Sequence, residues 1–349
     1  MADEEERARA ANIFDVARLA GVSHQTVSRV INDHPNVRAS TRDRVNKAIK
    51  QLRYRPNIAA RAMVTRRSRN LGLITTGAPE FGPSSTVLGF SAAAREARYN
   101  VSIATLLEND PTTMTESIEL LLTQSIEAIV VIASRQGIID ALNAVQVDRP
   151  IVMMQSSGNP TARSVSIDQY EGARLATEHL IQQGHRHILH LAGPEDSTDA
   201  IERVRGWRAT MAQHGLVAPT PERGDWSSDS GYAFGTRLSQ SRSRYTAVFA
   251  ANDQMALGCV HAYRDQGLRV PDDLSIIGFD DIPDAAHYLP PLTSMRQDFR
   301  QLGRDILTAV LDELDDRVSS RPRLIPELVV RDSVGRVPVT PELLTRGRP

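Results

Sequence analysis

Cysteine is almost absent from this sequence, and so are long apolar runs. Cys259 is the only cysteine among 349 residues, so no intramolecular disulfide can form. The apolar segments are far shorter than the roughly 20 residues that a membrane-spanning helix needs. The first residues, MADEEERARAAN, lack the apolar core of an export signal. These absences predict a cytoplasmic protein with no membrane association.

The signatures of common enzyme sites are missing as well. No G-x-G-x-x-G segment follows an apolar run, and neither a G-x-x-x-x-G-K-S loop nor a G-x-S-x-G elbow is present. The segment GHRH places His185 and His187 on one face of a strand, but no carboxylate or cysteine completes a metal site. We therefore expect no enzymatic activity, no cofactor and no bound metal.

The net charge of −1 conceals an uneven distribution. Residues 12–69 contain thirteen arginines and lysines against three aspartates, a charge of +10. Residues 70–349 carry −9, and residues 1–11 carry −2. A basic region attached to an acidic one suggests that the basic region alone meets a polyanion.

The basic region begins with a two-helix pattern. Apolar residues recur at helical spacing in DVARLAGVSHQTVSRVIN, residues 15–32, on either side of Gly21, which suits a turn. Ser23 is placed to cap the second helix, and Ser40 to cap a third. Three short helices around one core predict a helix-turn-helix domain over residues 12–57.

Polar side chains on the second helix have the chemistry to contact DNA. The outward positions near its N-terminal half are His24, Gln25, Ser28 and Arg29. Glutamine can pair with adenine and arginine with guanine, whereas Thr26 and Arg38 are better suited to phosphates. The alternative is a three-helix module for protein contact with solvated arginines, and the +10 charge favours DNA over it.

From residue 70 onward, short apolar runs alternate with amphipathic helical segments. Such alternation predicts an α/β fold whose parallel sheets are covered by helices on both faces. The number of strands predicts two doubly wound halves that face each other across a cleft, with the ligand beyond the carboxyl ends of the strands. The predicted helices span about 86–98, 112–124, 169–183, 200–214, 229–240, 253–266 and 299–316.

Polar residues lie where several of these strands end. Asn252 follows one apolar run and Asp280 ends another, and Arg203, Trp226 and Gln297 lie nearby in the predicted fold. A carboxylate, an amide, a guanidinium and an aromatic face together suit the hydroxyls and C–H faces of a sugar. Taken singly, each has a structural alternative as a helix cap, a strand turn, a surface ion pair or a core aromatic.

The chain resembles the lactose/galactose repressor family in both regions. The resemblance rests on DVARLAGVSHQTVSRVIN and VRASTRDRVNKAIKQLRYRPNIAARAM, and on NDQMALG, PDDLSIIGFDD, PPLTSMRQDF and ELVVRDS. It covers nearly the whole chain after residue 12. It implies a sequence-specific transcriptional regulator that binds a palindromic operator as a homodimer.

The simplest function that the resemblance implies is repression of sugar-utilisation genes, relieved when a galactoside- or glucoside-like sugar binds. Three alternatives stay open. The effector can act as a co-repressor, the chain can be a sugar-binding protein with no DNA role, or it can be an enzyme acting on sugars.

The resemblance also assigns roles to residues of the basic region. It places His24, Gln25 and Arg29 against the major groove. Within a hinge helix and linker at 58–69, it places Ala60 near DNA or the second subunit. Asn57 caps this helix, and Met63 occupies the position of the minor-groove wedge.

In the acidic region the resemblance assigns the effector contacts to a set of ten residues. Arg203, Asn252 and Asp280 bind the effector, Trp226, Gln297 and Phe299 line the pocket, and Ser84, Ser85 and Thr86 form the opposite lip. Gln155 belongs to this set too, but Gln155 and Ile167 depart from the lactose-responsive pattern, which has an aspartate and an aromatic residue there. The identity of the effector is therefore open.

The resemblance finally divides the chain into segments. A disordered tail, 1–11, precedes the DNA-binding domain, and 70–335 form the effector-binding and dimerisation region. Within it, an N-subdomain comprises about 70–167 and 299–326, and a C-subdomain about 168–298 and 327–335. The tail 336–349 has no leucine heptads and predicts no tetramer-forming coiled coil.

Overall fold

A computed structural model describes most of the chain in two separate units, residues 1–69 and 70–349. We call the described part of the first unit up to residue 54 the head, and the second unit the core. Among the described helices, none is long and apolar enough to cross a membrane. The described residues are 11–31, 34–54, 67–77, 80–106, 110–133, 135–154, 156, 163–241, 244–317 and 321–337.

The head consists of three short helices, α1 (Ile13–Ala20), α2 (His24–Ile31) and α3 (Ala39–Gln51). They enclose one small apolar cluster, which confirms the helix-turn-helix prediction. Its fully buried members are Val16, Ala17, Ala20, Val27, Val30, Val45 and Ala48.

The ends of the head helices show which local signals decide the fold. Gly21 ends α1 at φ 62°, in the left-handed region that glycine tolerates, as the sequence predicts. The hydroxyl of Ser23 accepts a hydrogen bond from the N–H of Thr26 at 3.2 Å and so caps α2. The predicted cap at Ser40 is wrong, because α3 already begins one residue earlier and Arg38 holds the cap position without a side-chain bond.

The core contains two sheets. The first has the order β2-β1-β3-β4-β5 and is entirely parallel. Its strands are β1 (Asn70–Thr76), β2 (Asn100–Leu106), β3 (Ala128–Ile132), β4 (Ile151–Met154) and β5 (Ser164–Val165). The central strand β3 is buried along its whole length, as expected for a strand covered on both faces.

The second sheet has the order β11-β10-β9-β8-β6-β7. Its strands are β6 (Ile188–Ala192), β7 (Glu222–Arg223), β8 (Ala247–Ala250), β9 (Ser275–Asp280), β10 (Thr293–Arg296) and β11 (Glu327–Val329). Among the described strands of this sheet, β11 alone runs antiparallel to its neighbour. The fold class, a helical domain joined to two doubly wound sheets, is therefore confirmed, with one antiparallel edge strand that the sequence pattern did not predict.

Helices cover both faces of the two sheets. They are α4 (Phe81–Glu96), α5 (Pro111–Leu122), α6 (Gln136–Asn143), α7 (Gln169–Gln182), α8 (Thr198–Gln213), α9 (Ser228–Gln240), α10 (Asp253–Asp265) and α11 (Phe299–Leu314). A short 3₁₀ helix occupies Pro283–His287. The helix α6 was not predicted, and α4 starts five residues before its predicted start at 86. Pro83 is compatible with this early start, because N–H groups in the first turn have no partner within the helix.

The helix α11 follows strand β10 of the second sheet in sequence but packs against the first half of the core. Its contact with α4 is so close that a Cβ at Gly303 would overlap the backbone of Gly89 and Phe90. The chain therefore passes from the end of β10 across to the first half at residues 297–299. This crossing places Gln297 and Phe299 between the two halves of the core.

Two candidate functional sites

The outward face of α2 is the candidate DNA interface of the head. His24, Gln25 and Arg29 are exposed on it, whereas Val27 and Val30 on the other side are buried. Gln25 and Arg29 are one helical turn apart and so share a face. This orientation leaves an amide and a guanidinium available for base edges.

The remaining predicted contacts of the head surround this face. Thr26 and Ser28 are half-buried, and the Thr26 hydroxyl lies 3.0 Å from that of Ser23. The ring of Phe14 packs against that of His24 with centroids 5.1 Å apart, which restricts where the imidazole can point. Arg38 is exposed at the start of α3, where a cation suits a DNA phosphate.

Several predicted positions lie outside the described residues. They are Asn57, Ala60 and Met63 of the predicted hinge, and Gln155 of the predicted effector site. Their assigned roles stay predictions.

The candidate ligand site of the core is a cleft between the two sheets, of about 540 Å³ including its open mouth. Six residues predicted from the sequence line it together: Arg203, Trp226, Asn252, Asp280, Gln297 and Phe299. The other lining residues are Glu80, Phe81, Gly82, Pro83, Met154, Ser156, Ile167, Gln169, Asp199 and Leu302.

Three hydrogen bonds and one ion pair join four buried side chains on different segments into a closed circuit in the cleft. The Nε of Arg203 donates to Oε1 of Gln169 at 2.9 Å. The amide of Gln169 donates to Oε1 of Gln297 at 2.8 Å, and the amide of Gln297 donates to Oδ1 of Asp280 at 2.6 Å. Arg203 Nη2 lies 3.8 Å from that same carboxylate oxygen and closes the circuit. We call these four residues the polar ring.

Arg203 is the most constrained member of the polar ring. Its side chain is 5% exposed, and its guanidinium lies 3.9 Å from the centroid of the Phe279 ring. Its Nη1 also donates to the carbonyl of Ala251. A buried cation is tolerated only when it is paired and hydrogen-bonded, and these contacts meet that requirement.

Asp280 combines backbone strain with an altered acidity. It ends β9 with φ 108°, a region that non-glycine residues rarely adopt. Burial raises the pKa of Asp280 to about 7, although Arg203 and the Gln297 amide oppose the shift. Behind it, burial also raises the pKa of Asp253 well above its usual range, and the nearby Asp280 carboxylate adds to the shift. Near neutral pH, Asp280 can therefore exchange a proton or accept hydrogen bonds from a ligand.

Asn252 has a structural role as well as a place in the cleft. Its side-chain oxygen accepts the N–H of Met255 at 2.9 Å and caps α10. Its amide donates to the carbonyl of Trp226 at 2.9 Å. Gly193 lets the indole approach, since a Cβ there would overlap the ring of Trp226. Asn252 and Gly193 thus fix an aromatic wall of the cleft.

The predicted lip at residues 84–86 does not line the cleft. Ser84 and Ser85 belong to the start of α4, and buried Thr86 donates its hydroxyl proton to the carbonyl of Gly82 at 2.8 Å. Because α4 begins early, Phe81 and the two residues after it reach the cleft instead. The edge of the Phe81 ring packs against Phe299 with centroids 5.7 Å apart.

Three polar lining residues escaped the sequence reasoning: Glu80, Gln169 and Asp199. Asp199 lies one turn before Arg203 on α8, so helical periodicity could have found it. Glu80 follows the carboxyl end of β1, where ligand-binding residues are expected. Gln169 opens α7, and no local signal marks it for the cleft.

An ion-pair network joins the two halves beside the cleft. Arg135, before α6, contacts Asp196 of the second half at 2.8 Å and Glu80 of the first at 3.4 Å. The N–H of Gln136 donates to the carbonyl of Asp196 at 3.0 Å. These contacts hold the halves in the present arrangement.

His185, one of the two histidines considered as metal ligands, has other hydrogen-bond partners. The two ring nitrogens of His185 bond with the Thr246 hydroxyl at 2.9 Å and the Gly335 carbonyl at 3.1 Å. Within the described ranges no cluster of three potential metal ligands was found. The chemistry of the cleft is therefore that of hydrogen bonding, charge and aromatic contact.

Comparison with known proteins links both sites to one family. Residues 12–57 match the model of bacterial regulatory proteins of the lacI family, and residues 177–334 match a periplasmic binding protein-like domain. The lactose operon repressor of Escherichia coli (strain K12) is 31% identical over 94% of this chain and 91% of its own. The HTH-type transcriptional repressor PurR of Haemophilus influenzae (strain PittEE) is 34% identical over 93% and 98%. These relatives are named as repressors and not as enzymes.

Solved structures agree with these matches. A lac repressor dimer bound to operator and the anti-inducer ONPF superposes with a TM-score of 0.81 at 31% identity, covering 94% of this chain and all of that one. A complex of the transcriptional regulator CelR with cellobiose gives a TM-score of 0.68 at 30% identity, over 93% and 99%.

Proposed function

Because this chain belongs to the lacI family of bacterial regulatory proteins and is a DNA-binding transcriptional regulator, we propose that it represses sugar-utilisation genes. A small galactoside- or glucoside-like sugar binds the cleft and releases the protein from its operator. The reverse sign, with the effector strengthening operator binding, is the alternative that the test below separates.

The polar ring beside Trp226 carries the sugar assignment. A hydroxyl can accept from the amide or guanidinium groups of the ring and donate to the Asp280 carboxylate. The four side chains of the ring hold one another in place, so little side-chain entropy remains to be lost on binding. Trp226 and Phe299 offer apolar surfaces to the C–H faces of a pyranose.

The face of α2 supports the operator assignment. Two heads of a homodimer read the half-sites of a palindrome about one helical turn apart, with Gln25 and Arg29 at base edges. The lac repressor that this chain resembles has been solved as a dimer on its operator. The predicted hinge at 58–69 connects each head to its core, and the regulator acts in the cytoplasm.

The cleft lies between the two halves of the core, and this position supports a coupling between sugar binding and operator binding. A ligand that contacts both halves favours one arrangement of them over another. If the two arrangements bind the operator differently, the ligand changes operator affinity. The size of the change is set by how much more tightly the ligand binds one arrangement than the other, typically about 1–3 kcal/mol per site. The contacts of Arg135 with Glu80 and Asp196 join the halves in one such arrangement.

The test begins by selecting operator sequences from random duplex DNA with the full-length protein. Fluorescence anisotropy then measures operator affinity with and without galactose, glucose, lactose and cellobiose. We expect a palindromic consensus and weaker binding with at least one sugar. Tighter binding with a sugar establishes the reverse sign, and the absence of any selected sequence refutes a regulator of this kind.

A further inference from the structure

The cleft contains more acidic than basic side chains. The carboxylates of Glu80, Asp199 and Asp280 line it, and Arg203 is the single basic lining residue within the described ranges. Arg203 approaches Asp280 at 3.8 Å, so one acid is matched within the polar ring.

The other two acids are matched less well. Arg135 reaches Glu80 at 3.4 Å but contacts Asp196 more closely, at 2.8 Å, and so divides its charge between them. The Asp199 carboxylate has a hydrogen bond with the Ser156 side chain, but in the described structure its Oδ1 is shielded from solvent and has no hydrogen-bond partner. An unsatisfied carboxylate oxygen in a ligand cleft is costly and needs a donor.

The carboxyl groups of Glu80, Asp199 and Asp280 are weaker acids in the cleft than in water. Burial raises the pKa of Glu80 and of Asp199, and it raises that of Asp280 to about 7. The charges of Asp199 and Glu80 also raise the pKa of Asp280. Because all three carboxylates line one cleft, their negative charges oppose one another, and a cation among them would relieve that repulsion.

The aromatic walls suit the same cation. Phe81 and Phe299 meet edge to face in the wall of the cleft, and Trp226 lines the cleft as well. Aromatic faces attract ammonium groups, most strongly where water is excluded. A neutral sugar would use these faces for its C–H groups only and would leave the excess negative charge in place.

We propose that the effector is a hydroxylated amine, in the simplest case an amino sugar, whose ammonium group lies beside Asp199 and the carboxylates of Glu80 and Asp280. This inference rests on the proposed function, because it specifies the sugar that the cleft takes. The ammonium donates to Oδ1 of Asp199, and the hydroxyls bond with the polar ring.

The experiment compares matched sugars on the full-length protein by titration calorimetry at pH 7 and low salt. Glucosamine and galactosamine are each set against the parent sugar and the N-acetyl derivative, in which the nitrogen carries no charge. We expect the amines to bind about tenfold or more tightly than both neutral counterparts, as a charge-assisted hydrogen bond requires. A parent sugar that binds as tightly as its amine overturns the inference.

Substitutions in the cleft test where the ammonium group binds. Asp199→Asn should bring the amine-to-parent ratio close to one, whereas Asp148→Asn, the same change at an exposed loop residue, should leave it unaltered. Glu80→Gln provides a second measurement, with a smaller fall in the ratio, if Asp199→Asn does not fold. An amine preference that survives in the folded cleft variants contradicts the assignment.

The outcome also separates this inference from the function it rests on. If neutral sugars release the operator and amines have no advantage, the proposed function stands and the amine is wrong. If no sugar of either kind binds or releases the operator, the proposed function fails and the inference fails with it.

Discussion

The head and the cleft place functional side chains in opposite environments. On α2, Gln25 and Arg29 project into solvent from a helix whose other face is packed. In the cleft, Arg203 and Asp280 are buried and belong to one circuit of hydrogen bonds and an ion pair. Substitutions on the exposed face of α2 can therefore alter DNA binding without altering the fold of the head. In the cleft, by contrast, ligand binding and stability depend on the same contacts.

The two regions can be followed separately. The only tryptophans of the chain, Trp207 and Trp226, are both in the core. Trp207 is fully buried and reports unfolding of the core, and Trp226 lines the cleft and reports ligand binding. Tryptophan emission thus reports on the core alone, and operator affinity reports on the head.

The largest effect is expected from Asp280→Ala. The change removes the carboxylate that faces Arg203 and leaves a buried guanidinium without its acid, so the response of operator binding to the effector should be abolished. Fluorescence anisotropy with labelled operator measures the response. Tryptophan emission on heating shows whether the core of the variant still folds. If it does not, Asp280→Asn, which keeps the side-chain volume, takes its place.

Glu116→Gln is the control for Asp280→Ala, since it removes an exposed carboxylate of the core outside the cleft. It should respond like the parent protein. A normal response from the Asp280→Ala protein would show that the cleft is not the effector site.

The second effect is a pH dependence confined to the core. The folded pKa of Asp280, about 7, lies above its unfolded value, so the folded state holds its proton longer. The associated stability is complete below the unfolded pKa and is lost as pH rises through about 7. Because the folded and unfolded pKa values differ by about three, the loss of unfolding free energy between pH 4 and 8 is at most about 4 kcal/mol.

Urea denaturation followed by tryptophan emission at several pH values measures this loss. Asp280→Asn removes the titration, so the difference in unfolding free energy between the parent and the variant should change across that range. A difference that is constant with pH would mean that the carboxylate ionises as it does in water.

How much of this was predictable from the sequence depends on how local each signal is. Gly21 and Ser23 act within one turn of chain, and both were identified correctly. The strand ends led to Asn252 and Asp280 because the carboxyl ends of parallel strands meet at one edge. The bond between Gln169 and Gln297 joins residues 128 positions apart, and it depends on where the chain crosses between the halves.

The errors have a similar explanation. The predicted start of α4 at residue 86 left out Gly82 and Pro83, but both residues fit the first turn of the helix. Ser40 has the right chemistry for a cap, yet the backbone is already helical one residue before it. Residue type alone does not fix the position at which a helix begins.

A smaller effect is expected from Arg29→Ala in the head. It should lower discrimination at one operator base pair by about 1–3 kcal/mol. Folding should change by less than about 0.5 kcal/mol, because the side chain is exposed. Anisotropy with single-base operator variants measures the discrimination.

Arg38→Ala is the matched comparison, because it removes the same side chain from a predicted phosphate contact. It should weaken all operators alike and reduce the dependence of affinity on salt. If Arg29→Ala also weakened all operators alike, Arg29 would be a phosphate contact and the reading face of α2 would be assigned incorrectly.

The smallest effect tests whether the head folds by its local signals. Ser23→Ala removes the cap of α2 and should cost about 1 kcal/mol of local stability, which corresponds to roughly fivefold faster amide hydrogen exchange in α2. Ser40→Ala, at a serine in the first turn of α3 that is not at its cap position, should leave exchange in α3 within about twofold of the parent. Exchange by mass spectrometry on the full-length protein resolves both helices. Equal acceleration by the two changes would mean that the Ser23 hydroxyl has no special part in starting α2. The exposed face of α2 would then depend on packing, as the cleft does.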